Sequence, residues 1–216
     1  MESIMKINYQ KMLDDELCKI EKSGVRPTLL LHACCAPCSS YVLEYLKKYF
    51  DITVYFYNPN IYPKEEYDFR ADEMSRFAGL ITESSDIKVI CENYNPSEFY
   101  EAIKGYENEG ELSDRCKLCY GLRLDKTAKL ASKKGYDYFT TTLSISPHKN
   151  AEWLNKIGEK CAEKYNLKYL FSDFKKKNGY KRSCELSKEY GMYRQEYCGC
   201  VYSFAEFKER QNNVEK

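Results

Sequence analysis

The sequence predicts an α/β protein, a parallel sheet with helices on both faces. Three observations carry that prediction. Short β-branched and aromatic runs recur along the chain, stretches with helical periodicity separate them, and the most reactive residues stand just after the runs' C-terminal ends. Strands that alternate with helices at this spacing pair in parallel and are covered on both sides.

Taken in order, residues 8–23 read as a charged leading helix, and Thr28 to His32 as a buried strand. A cysteine loop follows, and Pro37 suits the first turn of a helix that sets Cys38, Val42 and Leu46 on one face. Ile52 to Tyr57 is the second strand, ending in a turn-rich segment over 58–63. A helix over about 64–78 leads to a third strand, Ile87 to Cys91. Residues 96–111 are acidic and read as an irregular surface excursion that delivers Cys116 and Cys119. A helix bearing Leu124, Ala128 and Ala131 precedes the fourth strand, residues 138–142. A helix over about 153–164 and a short strand over 168–171 complete the pattern.

The 216 residues contain no repeat and no Pro/Gly/Ser linker, so one domain is expected. It would comprise a helical extension over about 1–25, a core over about 26–205 and a tail over 206–216. No Gly-x-Gly-x-x-Gly or Walker loop follows the first strand; cysteines stand in its place. The expected fold is therefore Rossmann-like, resembling nucleotide-binding α-hydrolase-type folds but without a phosphate loop. That argues against ATP, NAD or flavin bound in the usual manner.

Lys plus Arg total 34 against 33 Asp plus Glu, a net charge of +1, so the chain is not coated in basic charge. A nucleic-acid partner would have to be held through a local patch. The first ten residues lack the apolar run of a signal peptide, and no stretch is apolar enough to span a bilayer. A cytoplasmic protein with reduced thiols and no membrane partner is the expectation.

Seven of the 11 cysteines fall into three groups: Cys34, Cys35 and Cys38; Cys116 and Cys119; Cys198 and Cys200. Clustered thiols in a reducing compartment point to metal or redox chemistry. Cys18, Cys91, Cys161 and Cys184 stand singly and read as small core residues. Neighbours such as Cys34 and Cys35 bind one tetrahedral zinc only under strain, whereas a cubane offers separate irons to each. Cys34, Cys35, Cys116 and Cys119 would satisfy a [4Fe–4S] centre. Zinc and a plain dithiol remain open on spacing alone. Cys38 lies in a helical first turn, where the dipole favours thiolate, and reads equally as a core thiol. Cys198 and Cys200 flank a single glycine; in extended chain their Cα atoms lie about 6.6 Å apart, near the upper edge of disulfide geometry. A reducible bridge or two further metal ligands are the alternatives.

Thr140, Thr141, Thr142, Ser144, Ser146, His148, Lys149 and Asn150 form a dense polar run after the fourth strand. Asn150 can cap the next helix, and His32 and His148 read as hydrogen-bonded structural groups. Residues 175–182 carry five positive charges and precede Arg194, so this segment is either a solvated face or a phosphate contact.

Together these motifs resemble the epoxyqueuosine reductase QueH family. The resemblance rests on LHACCAPCS at 31–39, Tyr57 to Tyr62 with Glu66, Tyr67 and Arg70, and Arg115 to Cys119 with Arg123 and Leu124. It continues through TTTLSISPHKN at 140–150, Ser187 to Glu189, and YRQEYCGCVYS at 193–203. It implies reduction of the epoxide of epoxyqueuosine in tRNA to queuosine, the last step of queuosine synthesis. It also implies a [4Fe–4S] cluster on Cys34, Cys35, Cys116 and Cys119, and leaves an additional iron open. Cys198 and Cys200 are implied as a redox-active disulfide pair, and an unidentified electron donor as a partner. Presentation of the base from an anticodon loop makes Tyr57, Tyr62 and Tyr197 candidates for stacking. Asn58, Asn60 and Lys149 are candidates for polar contact, and Arg194 for phosphate. A zinc- or iron-dependent hydrolase or sulfur-transfer enzyme on RNA, and a non-catalytic metal-binding RNA module, are the other readings.

Overall fold

The computed structural model describes residues 7–81 and 87–214. The first six residues of the expected extension and the last two of the tail lie outside them. Five strands form one all-parallel sheet in the order β3-β2-β1-β4-β5, from β1 (Thr28–His32), β2 (Asp51–Phe56), β3 (Lys88–Cys91), β4 (Tyr138–Thr141) and β5 (Lys168–Tyr169). The chain winds outward from β1 through β2 to β3, then crosses back to place β4 on the other side of β1. This reversal opens a crevice at the carboxyl ends of β1 and β4, the usual ligand position in such sheets. His32 pairs in register with Tyr55 on one side and Thr141 on the other.

Side-chain alternation along the strands separates two cores. Leu29, Leu31, Val54 and Phe56 pack with α1 (Tyr9–Ser23), α2 (Ala36–Leu46), α3 (Lys64–Leu80) and α7 (Gly179–Glu189), through residues such as Leu17, Leu43, Phe77 and Leu186. Leu30, Tyr55 and Phe139 face the other way, onto α5 (Asp114–Lys134) and α6 (Ala151–Tyr165) through Leu124, Ala128 and Leu154. Both faces are covered, as the alternating pattern predicts. Asn8 caps α1 through the Lys11 amide, and Asn150 caps α6 through the Trp153 amide at 3.1 Å.

Several elements differ from the sequence reading. The acidic stretch after β3 is not wholly irregular: α4 (Pro96–Ala102) forms, and Phe99 and Ile103 bury themselves against Cys119. The helix that carries Leu124 begins a turn and more earlier than its apolar stripe, at Asp114, so Cys116 and Cys119 are helical rather than in a loop. The basic segment over 175–182 runs into α7, and the expected tail is largely α8 (Val201–Val214). Phe204 and Phe207 of α8 pack on Tyr197, with ring centroids 5.2 and 5.8 Å away. Cys161 is buried as expected, but Cys18 and Cys91 are exposed and Cys184 is half-buried. Solitary cysteines carry no periodicity, and sequence alone did not reveal which way these three face. Among the described residues no helix is long and apolar enough to cross a membrane.

Candidate metal and redox site

The residues after β1 turn directly into α2, and that turn brings three thiols together. The Sγ atoms of Cys34, Cys35 and Cys38 lie within 4.8 Å of one another, with Cys34 and Cys35 3.8 Å apart. Cys35 precedes α2 in extended conformation (φ −173°), and Cys38 sits in the first turn of that helix. The loop is held from three sides. Asn58 Nδ2 donates to the carbonyl of Ala33 at 2.8 Å, Thr142 Oγ1 accepts from the Cys34 amide at 3.4 Å, and Gln195 Nε2 donates to Cys35 Sγ at 2.9 Å.

The three thiols are not equivalent. Hydrogen bonds from Cys35 and Cys38, aided by Thr142 and opposed by burial, hold Cys34 well below the usual thiol range. Burial and the Cys34 sulfur push Cys35 up to about 12. Cys38, donating to both neighbours, is pushed up as well. Within the triad the hydrogen bonds favour the anion on Cys34 over Cys38, opposing the pull of the helix start on Cys38. His32 is held in place beside the triad. It is fully buried, its Nε2 meets the Tyr57 carbonyl at 3.1 Å and its Nδ1 the Thr141 hydroxyl at 2.9 Å. A carbonyl only accepts, so Nε2 carries the proton and Nδ1 accepts from Thr141. Burial, with Arg123 nearby, lowers the imidazole to about 4 and keeps it neutral.

The other two cysteine groups approach the same region through Arg123. This side chain is 2 % exposed, and its Nε donates to the Cys119 carbonyl at 3.2 Å. Its Nη2 has no hydrogen-bond partner among the described residues. The sulfurs of Cys119, Cys198 and Cys34 are among the charges acting on the guanidinium. Burial pushes the Cys119 thiol up to about 11. Cys116 is half-buried and packs, like Cys34, against the core cluster around Tyr120. Cys116 and Cys119 are not part of the tight triad.

Cys198 and Cys200 lie on the turn that enters α8, around Gly199 at φ +115°. A Cβ there would stand 3.0 Å from Arg70 Nη1 and 3.3 Å from Ile61. The 58–63 turn clasps this segment: the Tyr62 amide donates to the Gly199 carbonyl at 2.7 Å, and the Tyr197 hydroxyl donates to the Tyr62 carbonyl at 2.8 Å. Cys198 accepts from Lys149 Nζ at 2.7 Å. Cys200 lies 3.4 Å from the Ser203 hydroxyl, and burial with the neighbouring Cys198 raises it. The pair is open, both thiols free.

Between these groups is a cavity of about 260 Å³ lined by Cys34, Cys38, Arg123, Lys149, Tyr197 and Cys198, with Tyr180, Arg194 and Arg210 also on its wall. It exceeds the roughly 150 Å³ that admits a benzene ring, so a small ring fits inside. Of the polar residues expected to meet substrate, Lys149 and Arg194 line it. Asn58 and Asn60 are buried outside its lining. Tyr57 is also buried, stacked on Tyr55 at 5.9 Å with its hydroxyl on Glu98, so it is not available to stack on a base. Tyr62 is 40 % exposed but outside the lining. Tyr180 is the exposed aromatic that sequence reasoning missed; it lies just inside α7, a helix hidden within the basic segment.

A family model described as epoxyqueuosine reductase QueH matches residues 29–206, from β1 into α8. The chain belongs to this family. It is 48% identical over 200 residues to the epoxyqueuosine reductase QueH of Streptococcus pyogenes serotype M1, covering 92% of this chain and 78% of the relative. The Staphylococcus epidermidis relative of the same name is 45% identical, with 92% and 85% covered, and that of Thermotoga maritima 38% identical, with 88% and 96% covered. The matched span contains all three cysteine groups, Lys149 and Arg194.

Proposed function

We propose that this protein reduces the epoxide of epoxyqueuosine in tRNA to queuosine. The observation that carries the reading is the family match over residues 29–206, nearly all of the sheet and cavity, together with thiols gathered at the sheet's crossover point. The residues suit an anionic metal centre. Arg123 is a buried cation with no carboxylate partner among the described residues, and the sulfurs of Cys119, Cys198 and Cys34 are the main charges that offset its burial. A cluster carrying four thiolates is net negative and supplies that compensation.

Cys34, Cys35, Cys116 and Cys119 are the ligands proposed for a [4Fe–4S] cluster. A [4Fe–4S] cluster would take one thiolate on each of its four irons, which the Cys34, Cys35 and Cys38 triad alone does not supply and which Cys116 and Cys119 would complete. When bound, the cluster would supply electrons. One observation favours a second reading at the same loop. Sulfurs around a tetrahedral ion with bonds near 2.3 Å are about 3.8 Å apart, which matches the Cys34–Cys35 separation. A single ion on Cys34, Cys35 and Cys38 is that alternative, and it is also where an additional iron would sit.

Cys198 and Cys200 are proposed as the redox-active pair, with Lys149 beside the first of them. Arg194 is positioned by Ser183 and Ser187 and lies over the Tyr180 ring at 5.5 Å. The two side chains form a cation and an aromatic plane on the cavity wall, suited to a phosphate and an unstacked base. The basic segment contributes less than its composition suggests. Lys175 pairs with Asp173, Lys177 with Asp14, and Arg182 with Glu44 and Glu189.

The test is turnover. Anaerobically purified protein, given a reductant and tRNA carrying epoxyqueuosine, is expected to yield queuosine on nucleoside digestion. Tight tRNA binding without loss of the epoxide oxygen would support the non-catalytic RNA module instead.

A further inference from the structure

Epoxide removal consumes two electrons and two protons, and where one sulfur of a thiol pair shares its proton with a buried amine, the second proton has to come through that amine. We propose that Lys149 is the proton carrier of the Cys198/Cys200 pair and delivers one of the two protons that the reduction consumes. This rests on the reading of that pair as redox-active.

The geometry ties the lysine to one sulfur. Lys149 Nζ donates to Cys198 Sγ at 2.7 Å, and both side chains line the cavity that contains Cys34 and Arg123. Among the described residues Lys149 ion-pairs with no carboxylate, in a protein where Lys175, Lys177 and Arg182 all do. The charged and titratable groups that face it are Cys198, Tyr120 with its ring centroid 6.0 Å away, Arg123 and Cys119. Burial, the largest influence, works against the ammonium; the charge and hydrogen bond of Cys198 together with Tyr120 outweigh it, and the proton is held above the ordinary lysine range. Arg123, a like charge, also works against it.

Closing the pair removes the main group that offsets burial. Cys198 and Cys200 join as a disulfide, releasing two electrons and the Cys200 proton, while the proton shared in the Lys149–Cys198 hydrogen bond stays on the amine. Lys149 then faces a neutral sulfur, with burial and Arg123 both favouring the free amine, and it releases a second proton. Two electrons and two protons pass to the substrate. The two carbon–oxygen bonds of the epoxide break, a carbon–carbon double bond forms, and the oxygen leaves as water. A dithiol or another two-electron reductant reopens the disulfide, and Lys149 regains its proton from solvent at the cavity mouth.

The position of the lysine explains why two thiols in nearly the same turn differ. Cys198 has the ammonium and faces the cavity, whereas Cys200 packs with Phe99 and Ile103 and meets only Ser203. Cys198 is thus the sulfur that opens toward substrate, and Cys200 the one that closes on it.

The experiment uses the full chain loaded with its metal centre and tRNA carrying epoxyqueuosine, in anaerobic single turnover. With tRNA saturating, Lys149→Ala is expected to slow epoxide loss at least roughly 100-fold, the usual scale for a positioned acid. Small primary amines added to Lys149→Ala should restore the rate, and more acidic amines should restore more of it. Lys149→Arg keeps the charge but cannot release a proton. It should bind tRNA and still form the Cys198–Cys200 link by mass spectrometry, yet remain as slow. Wild-type turnover in Lys149→Arg, or a loss in Lys149→Ala that no amine restores, would overturn the proposal. Failure of the underlying reading has a different signature. Oxidised wild-type protein would then contain no Cys198–Cys200 link, whatever the lysine variants do.

Discussion

Replacing Gly199 by alanine should damage the redox segment through backbone geometry alone. Gly199 sits at φ +115°, a region that side chains rarely adopt, and holding any other residue there costs about 1–3 kcal/mol. The added methyl would also meet Arg70 Nη1 at 3.0 Å and Ile61 at 3.3 Å. Arg70 cannot yield easily: it is 2 % exposed, bonded to Glu66 at 2.6 Å and set over the Tyr197 ring at 5.4 Å. For a chain of this length each kcal/mol shifts the melting temperature by about 2–4 °C, so a retained geometry predicts a fall of roughly 2–12 °C. If the turn relaxes instead, Cys198 and Cys200 move and turnover falls while the melting temperature holds. Gly191→Ala is the control, since Gly191 also has positive φ (+58°) but nothing within 4 Å of a new Cβ. It should lose about 1 kcal/mol and keep wild-type turnover. Thermal unfolding and tRNA turnover, measured on both variants, give the answer. Wild-type stability together with wild-type turnover in Gly199→Ala would refute the reasoning.

The remaining predictions concern metal, charge and packing. Alanine at Cys34, Cys35, Cys116 or Cys119 should each lower iron and sulfide content, while Cys38→Ala should not; the reverse pattern at Cys38 and Cys116 would favour a single ion on the triad. Neutralising Lys175 and Lys177, both already ion-paired, should leave the salt dependence of tRNA binding unchanged. Arg194→Gln should reduce its slope by about 0.7 if it meets one phosphate of a single-stranded loop. Gly158→Ala would press a methyl to 2.3 Å from the Tyr169 ring and should destabilise by about 1–3 kcal/mol in urea unfolding. The Tyr138 hydroxyl, 2.6 Å from Glu16, holds that carboxyl below its ordinary value near 4.5. Its stabilisation is therefore complete above that value and lost as pH falls through the lower native one; Glu16→Gln should flatten the urea midpoint over this acid range.

Where the residues repeat with a period, the sequence alone predicted the structure closely. Thr28–His32 and its cysteine turn, the Asn150 cap and the stripe Leu124, Ala128 and Ala131 are where alternation, helix chemistry and i+4 spacing put them. The convergence of the β1 and β4 loops followed from sheet topology. Departures cluster where local chemistry gave no period. The basic run at 175–182 hides the start of α7, because its charges are neutralised by residues distant in sequence such as Asp14 and Glu44. Arg123 was noticed only as part of a motif. That it is a buried cation between three cysteine groups depends on how α5 crosses the sheet. The Lys149 contact with Cys198 spans 49 residues, and no spacing rule reports it.

The most direct test of the account is epoxide loss measured against cluster content in the same preparations. Wild-type protein and Cys116→Ala, purified without oxygen, would be assayed for iron and sulfide and then given tRNA carrying epoxyqueuosine in single turnover. The account predicts queuosine from wild-type protein in proportion to the fraction that carries four irons and four sulfides, and neither cluster nor product from Cys116→Ala. Queuosine formed at the wild-type rate by cluster-free protein, or no queuosine from fully loaded wild-type protein, would contradict it.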